Sequence, residues 1–301
     1  MEVIQAIDEL RRKLQPYRLL PVADLDRGMV GFVPTMGYLH KGHISLIEAA
    51  KKQCRVVVLS IFVNPLQFGP NEDFAKYPRN QQQDLALALK AGVDFVFLPE
   101  VSEIYPYYPL NSMIKVSQIT SHLCGASRPG HFDGVATVVL KLFNIVQPDY
   151  AYFGLKDAQQ IGVVEQIVQD FNMTTQIITC PIIRERDGLA MSSRNVYLSL
   201  AEREQAVILN TVLKQSKAWV NENGMTYGKL QQRIIESITD TPLARIDYVE
   251  ILSYPAFEAV AQTALASESQ LSIIIAVAVK FGTTRLIDNC ILSPGGGEMY
   301  V

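Results

Sequence analysis

Residues Val56 to Val63, VVVLSIFV, form a β-branched run with no polar alternation. A strand that shows neither face to water suits a parallel sheet covered by helices on both sides. The chain supplies the crossover such a sheet needs. Met29 to Val33 is a short apolar run, and Ile44, Leu46, Ile47 and Ala50 recur at helical spacing in a segment ending near Gln53. Strand, helix and strand in this order read as a right-handed βαβ unit. The alternation continues with a helix over Asp84 to Ala91, a strand over Val93 to Leu98, a helix over Val135 to Val146, and strands over Tyr150 to Phe153 and Thr175 to Cys180. Ile114 to Val116 has the composition of a further short strand. Residues 1–180 therefore predict an α/β domain with a Rossmann-like parallel sheet.

From Pro181 the pattern changes. A long amphipathic helix from Ser199 to about Asn223 and a second over Thr226 to Ile238 precede three strand-like runs, Ile246 to Leu252, Leu271 to Val279 and Leu286 to Leu292. Helices followed by strands predict a smaller α+β domain with an antiparallel sheet over residues 181–292. The last residues, 293–301, PGGGEMYV after Ser293, read as a flexible tail because no lysine follows the glycines.

Composition narrows the class. Of 301 residues, 49% are hydrophobic and 19% charged, a balance that describes a soluble globular protein with a substantial core. No apolar run reaches the ~18 residues that suggest a membrane span. The opening MEVIQAIDELRRKL has the charge pattern of an amphipathic helix and not of a signal peptide, which argues for the cytoplasm. Cys54, Cys124, Cys180 and Cys290 are widely spaced, so buried free thiols are expected in place of disulfides or a zinc site. A net charge of −3 without a dense Lys/Arg block counts against a nucleic-acid partner.

The chemistry centres on Pro34 to His43, PTMGYLHKGH, between the first apolar run and the helix after it. Gly37 and Gly42 let the backbone bend or approach a ligand. His40 and His43, three apart, fall beside a helix N-terminus, whose unpaired N–H groups and partial positive charge favour phosphate. No GxGxxG follows the first strand, so a dinucleotide-dependent dehydrogenase is not expected.

Two irregular stretches interrupt the alternation. Asn64 to Asn80, NPLQFGPNEDFAKYPRN, is long for a connection inside a domain, and its Phe68, Phe74 and Tyr77 suggest a loop that packs over something. Leu123 to Gly134 holds Arg128 and His131 directly before an apolar helix. Ligands bind at the carboxyl ends of strands in such sheets, and Pro34, Asn64 and Gly154 all follow strand ends. His40, His43, Asn64, Gln67, Arg128, His131, Lys156, Asp157, Gln160, Ser192, Ser193 and Arg194 are thus expected at one sheet edge. The set is rich in donors and lacks an activated side-chain nucleophile. It favours attack by a small carboxylate or phosphate on the α-phosphate of a nucleotide, with pyrophosphate leaving.

The motifs PTMGYLHKGH, FVNPLQF, YPRN, RPGHFDGV, FGLKDAQQ and MSSRN, in this order and spacing, resemble the pantothenate synthetase (pantoate–beta-alanine ligase) family of HxGH nucleotidyltransferases. The resemblance extends to TTRLIDN at Thr283 to Asn289. It implies a homodimeric ligase in which pantoate attacks ATP to give pantoyl adenylate and pyrophosphate, after which the amine of beta-alanine displaces AMP. The fold implied is a Rossmann-like domain with a smaller lid-like C-terminal domain. By the same resemblance His40, His43, Lys156, Ser192, Ser193 and Arg194 act on the phosphates, with His43 at the pentacoordinate α-phosphate. Pro34, Thr35, Met36, Gly37, Gly154, Asp157, Ile183 and Met191 complete the ATP site. Met36, Asn64, Gln67, His131 and Gln160 are the implied pantoate contacts, Asp157 and Arg194 those of beta-alanine. Asp84 resembles a position linked to Mg2+, which enters with ATP.

Two positions depart from the family pattern. Leu155 stands where relatives usually carry Glu or Gln, and Gln83 where the residue is often acidic. Leu155 puts local polar contacts in doubt, and Gln83 weakens a two-carboxylate metal site. Two other functions compete: a nucleotidyltransferase that leaves the nucleotide on its product, and a non-catalytic nucleotide-binding regulator. The amides Asn64, Gln67 and Gln160 favour a small hydroxy acid over the first. The retained histidines, Lys156 and MSSRN disfavour the second, since a sensor needs affinity without transition-state donors.

Overall fold

The computed structural model describes residues 1–18, 30–70, 72–107, 109–268, 270–294 and 297. In chain order the elements begin with β1 (Glu2–Ile4), α1 (Ile7–Arg18), β2 (Val30–Thr35), α2 (Lys41–Gln53), β3 (Val56–Ile61), α3 (Gln81–Lys90), β4 (Phe95–Phe97) and α4 (Val101–Ile104). They continue with α5 (Leu123–Ser127), α6 (His131–Val146), β5 (Tyr150–Gly154), α7 (Ala158–Asp170) and β6 (Gln176–Cys180). The remainder comprises α8 (Leu200–Gln205), α9 (Ile208–Trp219), α10 (Tyr227–Thr239), β7 (Ala244–Ser253), β8 (Ile273–Phe281) and β9 (Thr284–Leu292). Met29 and most of the tail lie outside the described residues.

Two compact units result. The first contains Met1–Gln118, Arg128–Leu155 and Val163–Cys180; the second contains Ile119–Ser127, Lys156–Gly162 and the chain from Pro181 onward.

In the first unit six parallel strands run in the order β1-β4-β3-β2-β5-β6. All six residues of β3 are buried, as a strand covered on both faces requires. Val57, Leu59 and Ile61 pack with Leu46, Ile47 and Ala50 of α2. Chain order reverses direction between β2 and β5, which pair through Gly31 with Tyr150 and Phe32 with Ala151. The carboxyl ends of β2 and β5 therefore flank a topological switch point, where open α/β sheets bind ligands.

The second unit carries the antiparallel sheet β7-β8-β9. Ile273, Ile275, Val277, Val279 and Phe281 of β8 pack with Leu209, Val212 and Leu213 of α9 and Leu230, Ile234 and Ile238 of α10. Thr226 caps α10 by accepting from Lys229 N–H.

Several expectations need correction. Glu2–Ile4 is not the start of a helix but an edge strand paired with β4; three residues are too few to show a period. Ile114 to Val116 is not a strand, because Ile114 N–H donates to Thr137 Oγ1 and Val116 N–H to Asp133 Oδ1, side chains of α6. Leu123 to Gly134 is not wholly irregular, since it holds α5 and the first turn of α6. The helix expected from Ser199 to Asn223 is two helices, broken at Ala206 and Val207. Ala206, Leu209, Val212 and Leu213 are all buried in one core, so the apolar stripe crosses the break and hides it.

Candidate active site

In the first unit the site begins where β2 ends. Thr35 donates its hydroxyl to Ser60 O at 2.7 Å and accepts from Gly37 N–H, which ties the turn to β3. Gly37 at φ +83 and Tyr38 at φ +51 both lie in the left-handed region. A non-glycine residue there costs of order 1–3 kcal/mol, so something must hold it. Asp84 of α3 does so: its Oδ2 accepts from Tyr38 N–H at 2.9 Å and its Oδ1 from Leu39 N–H at 2.6 Å. A Cβ on Gly37 would stand 3.0 Å from that same Oδ2.

The turn delivers His40 as the N-cap of α2, extended at φ −137 and ψ 176. His40 Nδ1 accepts from Gly42 N–H at 3.1 Å, and His43 Nδ1 accepts from His40 N–H at 3.3 Å. This is a capping box built from two imidazoles, whose rings stack with centroids 4.0 Å apart. Because both Nδ1 atoms accept backbone protons, each neutral ring carries its hydrogen on Nε2. The pair thus presents two Nε2–H donors beside a helix N-terminus, an arrangement fit for phosphate oxygens.

The loop after β3 is cross-braced within the same unit. Asn64 is 1% exposed and caps the 3-10 turn Pro65–Gln67. Its Nδ2 donates to Gln67 Oε1 and Gly134 O, while its Oδ1 accepts from Tyr105 OH and Leu66 N–H. Gly134 is required here, since a Cβ would fall 2.3 Å from Leu66 O. Gln67 Nε2 reaches Met36 Sδ at 3.0 Å. His131 Nδ1 donates to Gln67 O at 2.7 Å, and its Nε2 accepts from Arg128 Nη1 at 3.0 Å. Arg128 also forks onto Glu72 with two bonds of 2.6 Å. Burial pushes the Glu72 carboxyl up, but the Arg128 fork and the Gly69 N–H outweigh it and leave it below the usual glutamate range. Phe68 packs against Phe74 and Tyr77, so the loop's aromatics bury one another.

In the second unit, Lys156 and Asp157 lie in the 3-10 turn Leu155–Asp157, with Lys156 Nζ 3.4 Å from Asp157 Oδ2. Leu155 is buried. Gln160 is half-buried, whereas Gln159 is fully used, donating to Ile119 O and His122 O and accepting from Gly125 N–H. Met191 N–H donates to Ile183 O at 2.9 Å. Ser192 then caps the 3-10 turn Ser193–Tyr197, its Oγ accepting from Arg194 N–H.

Two expected site residues also brace the main chain. Asp84 is 2% exposed with both oxygens on backbone N–H groups, and no cluster of three metal-ligating side chains occurs among the described residues. It braces the histidine turn. Burial raises its carboxyl above the usual range, against the pull of the Leu39 and Tyr38 amides. His131 likewise spends both ring nitrogens on the protein and supports the main chain of Gln67. Gln83 exchanges hydrogen bonds with Asn80 at the start of α3. Sequence reasoning passed over Glu72, Gln159, Arg184 and Asp288; the one available signal was an acid inside the apolar strand LIDNCIL.

A family model described as Pantoate-beta-alanine ligase matches residues 2–291. The chain belongs to this family. A pantothenate synthetase of Caldicellulosiruptor saccharolyticus is 51% identical over 263 residues, 87% of this chain and 91% of that protein. The crystal structure of a pantothenate synthetase from Thermus thermophilus superposes with a TM-score of 0.84 at 42% identity, covering 96% of this chain and 98% of that one. The Francisella tularensis ligase, crystallised with beta-gamma ATP and beta-alanine, gives 0.75 at 36% identity, covering 96% and 97%. The six-stranded parallel sheet and the three-stranded antiparallel sheet are accordingly the architecture of pantoate–beta-alanine ligases.

Proposed function

We propose that this chain is an ATP-dependent ligase that condenses pantoate with beta-alanine to pantothenate through a pantoyl adenylate. The observation that carries the reading is the family match across residues 2–291, over which the His40–His43 pair stands at the N-terminus of α2. In the first step a pantoate carboxylate oxygen bonds to the α-phosphorus of ATP while the bond to the β-phosphate oxygen breaks and pyrophosphate leaves. In the second the beta-alanine amine bonds to the acyl carbon, the carbon–oxygen bond to AMP breaks, and the amine gives up a proton.

His40 and His43 donate from Nε2 to the phosphates, His43 to the α-phosphate as its charge grows. Lys156, Ser192, Ser193 and Arg194 bind phosphate oxygens. Pro34, Thr35, Met36, Gly37, Gly154, Ile183 and Met191 frame the nucleotide. Met36, Asn64, Gln67, His131 and Gln160 take pantoate, Asn64 and His131 also bracing Gln67. Asp157 and Arg194 take beta-alanine. Magnesium bound to ATP would neutralise its phosphates and would need few protein carboxylates, because the ion keeps several waters.

The same reading divides the chain into a first domain of residues 1–180, a smaller one of 181–292 and a tail of 293–301, assembled as a homodimer. It places the reaction in the cytoplasm, consistent with four buried cysteines. Incubation with ATP, pantoate and beta-alanine should yield pantothenate, AMP and pyrophosphate, and omission of any substrate should abolish pantothenate. Release of ADP, or an adenylated final product, would overturn the reading.

A further inference from the structure

The stretch TTRLIDN, Thr283 to Asn289, places a charged residue and an amide side by side near the middle of β9, a strand mostly buried and mostly apolar. Successive side chains of a strand point to opposite faces. Leu286, Cys290 and Leu292 enter the core with α9 and α10, so Asp288 shares their face and Asn289 takes the other. Each then grips a different segment. The Asp288 carboxylate, 1% exposed, binds Arg184 through two bonds of 2.6 and 3.1 Å. Arg184 also donates to Gly188 O and bridges Ala190, closing the hairpin whose return arm ends at Met191. Asn195 Nδ2 reaches back to Ala190 O, so the turn carrying Ser192, Ser193 and Arg194 is anchored to the same hairpin. On the opposite face Asn289 Nδ2 donates to Lys156 O at 3.0 Å. Asp288 Oδ1 accepts the Asn289 N–H at 2.8 Å, which locks the two residues together.

We propose that Asp288 and Asn289 are positioning residues that fix Lys156 relative to the Met191–Arg194 loop, an inference that rests on the phosphate-binding roles given to those groups above. A buried ion pair is a poor source of stability, since apolar residues of similar volume often do as well or better. What the Arg184–Asp288 fork provides is direction, because a guanidinium and a carboxylate meet bidentately in one plane. A single stiff strand then sets the distance between two groups that come from sequence segments far apart. Displacement by about 1 Å costs on the order of 10²-fold in rate when reacting groups must be aligned.

The test is a double-mutant cycle read by pantoate-dependent ATP–pyrophosphate exchange, with thermal unfolding followed in parallel. Asn289→Ala should lower the exchange kcat by about 10- to 100-fold, with a smaller change in the KM for pantoate. Asn289→Asp, which keeps the shape but loses the donor, should behave alike and serves if the alanine variant folds poorly. Lys156→Ala should lose on the order of 10²–10³-fold. The double variant should be no slower than Lys156→Ala, since a residue acting through another adds nothing once that other is gone. Losses that multiply, or wild-type exchange in both Asn289 variants, would overturn this inference alone. Wild-type kcat in Lys156→Ala would overturn the phosphate role of Lys156 and this inference with it.

Discussion

Leu39 donates its backbone N–H to the Asp84 carboxylate at 2.6 Å across 45 positions of sequence. With the second oxygen on Tyr38 N–H, this grip holds the left-handed turn that aims His40 and His43. Asp84→Asn replaces one acceptor by an NH2 group facing an N–H, a buried mismatch that costs about 1–3 kcal/mol. We expect a lower unfolding temperature, a reduced kcat and an unaltered magnesium concentration for half-maximal activity. Magnesium titration beside thermal unfolding checks this; a raised magnesium requirement at normal stability would return Asp84 to the metal.

His43→Ala should lower kcat on the order of 10²–10³-fold, with a smaller effect on ATP binding, because a donor to the α-phosphate acts mainly as charge develops. Steady-state kinetics with a direct ATP-binding measurement separate the two. An unchanged kcat would reduce His43 to a cap for α2.

Labelled pyrophosphate should exchange into ATP when pantoate is present and beta-alanine absent, since the adenylate forms before the amine is needed. Exchange that strictly required beta-alanine would rule out the two-step order.

Glu72 sits below the usual glutamate range because Arg128 holds its charged form against the opposing effect of burial. A carboxyl depressed in the folded state adds stability above its unfolded pKa and loses it as pH falls through the folded one. Wild type should therefore exceed Glu72→Gln by about 1–3 kcal/mol at neutral pH, and the gap should close only below the ordinary glutamate range. Unfolding midpoints of both proteins across acid pH provide the measurement; a gap independent of pH would contradict it.

Sedimentation should give about twice the mass of one chain if the ligase is a homodimer. A clean monomer at micromolar concentration would count against that assembly.

Some of this was legible in the residues themselves. The unalternating VVVLSIFV run and the helical spacing around it specify a parallel strand and its crossover, because a strand buried on both faces cannot carry polar alternation. The placement of His40 and His43 at a helix start follows from local glycine and apolar spacing, and the ordered motifs identify the family. Local chemistry was not enough for the rest. Edge strand β1 exists only by pairing with β4, some 90 residues on. That Asn64 and His131 brace a loop depended on Tyr105, Gly134 and Arg128 arriving beside them. The Arg184–Asp288 fork spans 104 positions and the Asn289–Lys156 bond 133. Hydrogen bonds of that range leave no period in a sequence; only the folded backbone, by bringing distant donors and acceptors within about 3 Å, decides which polar side chains are struts and which are left for the substrate.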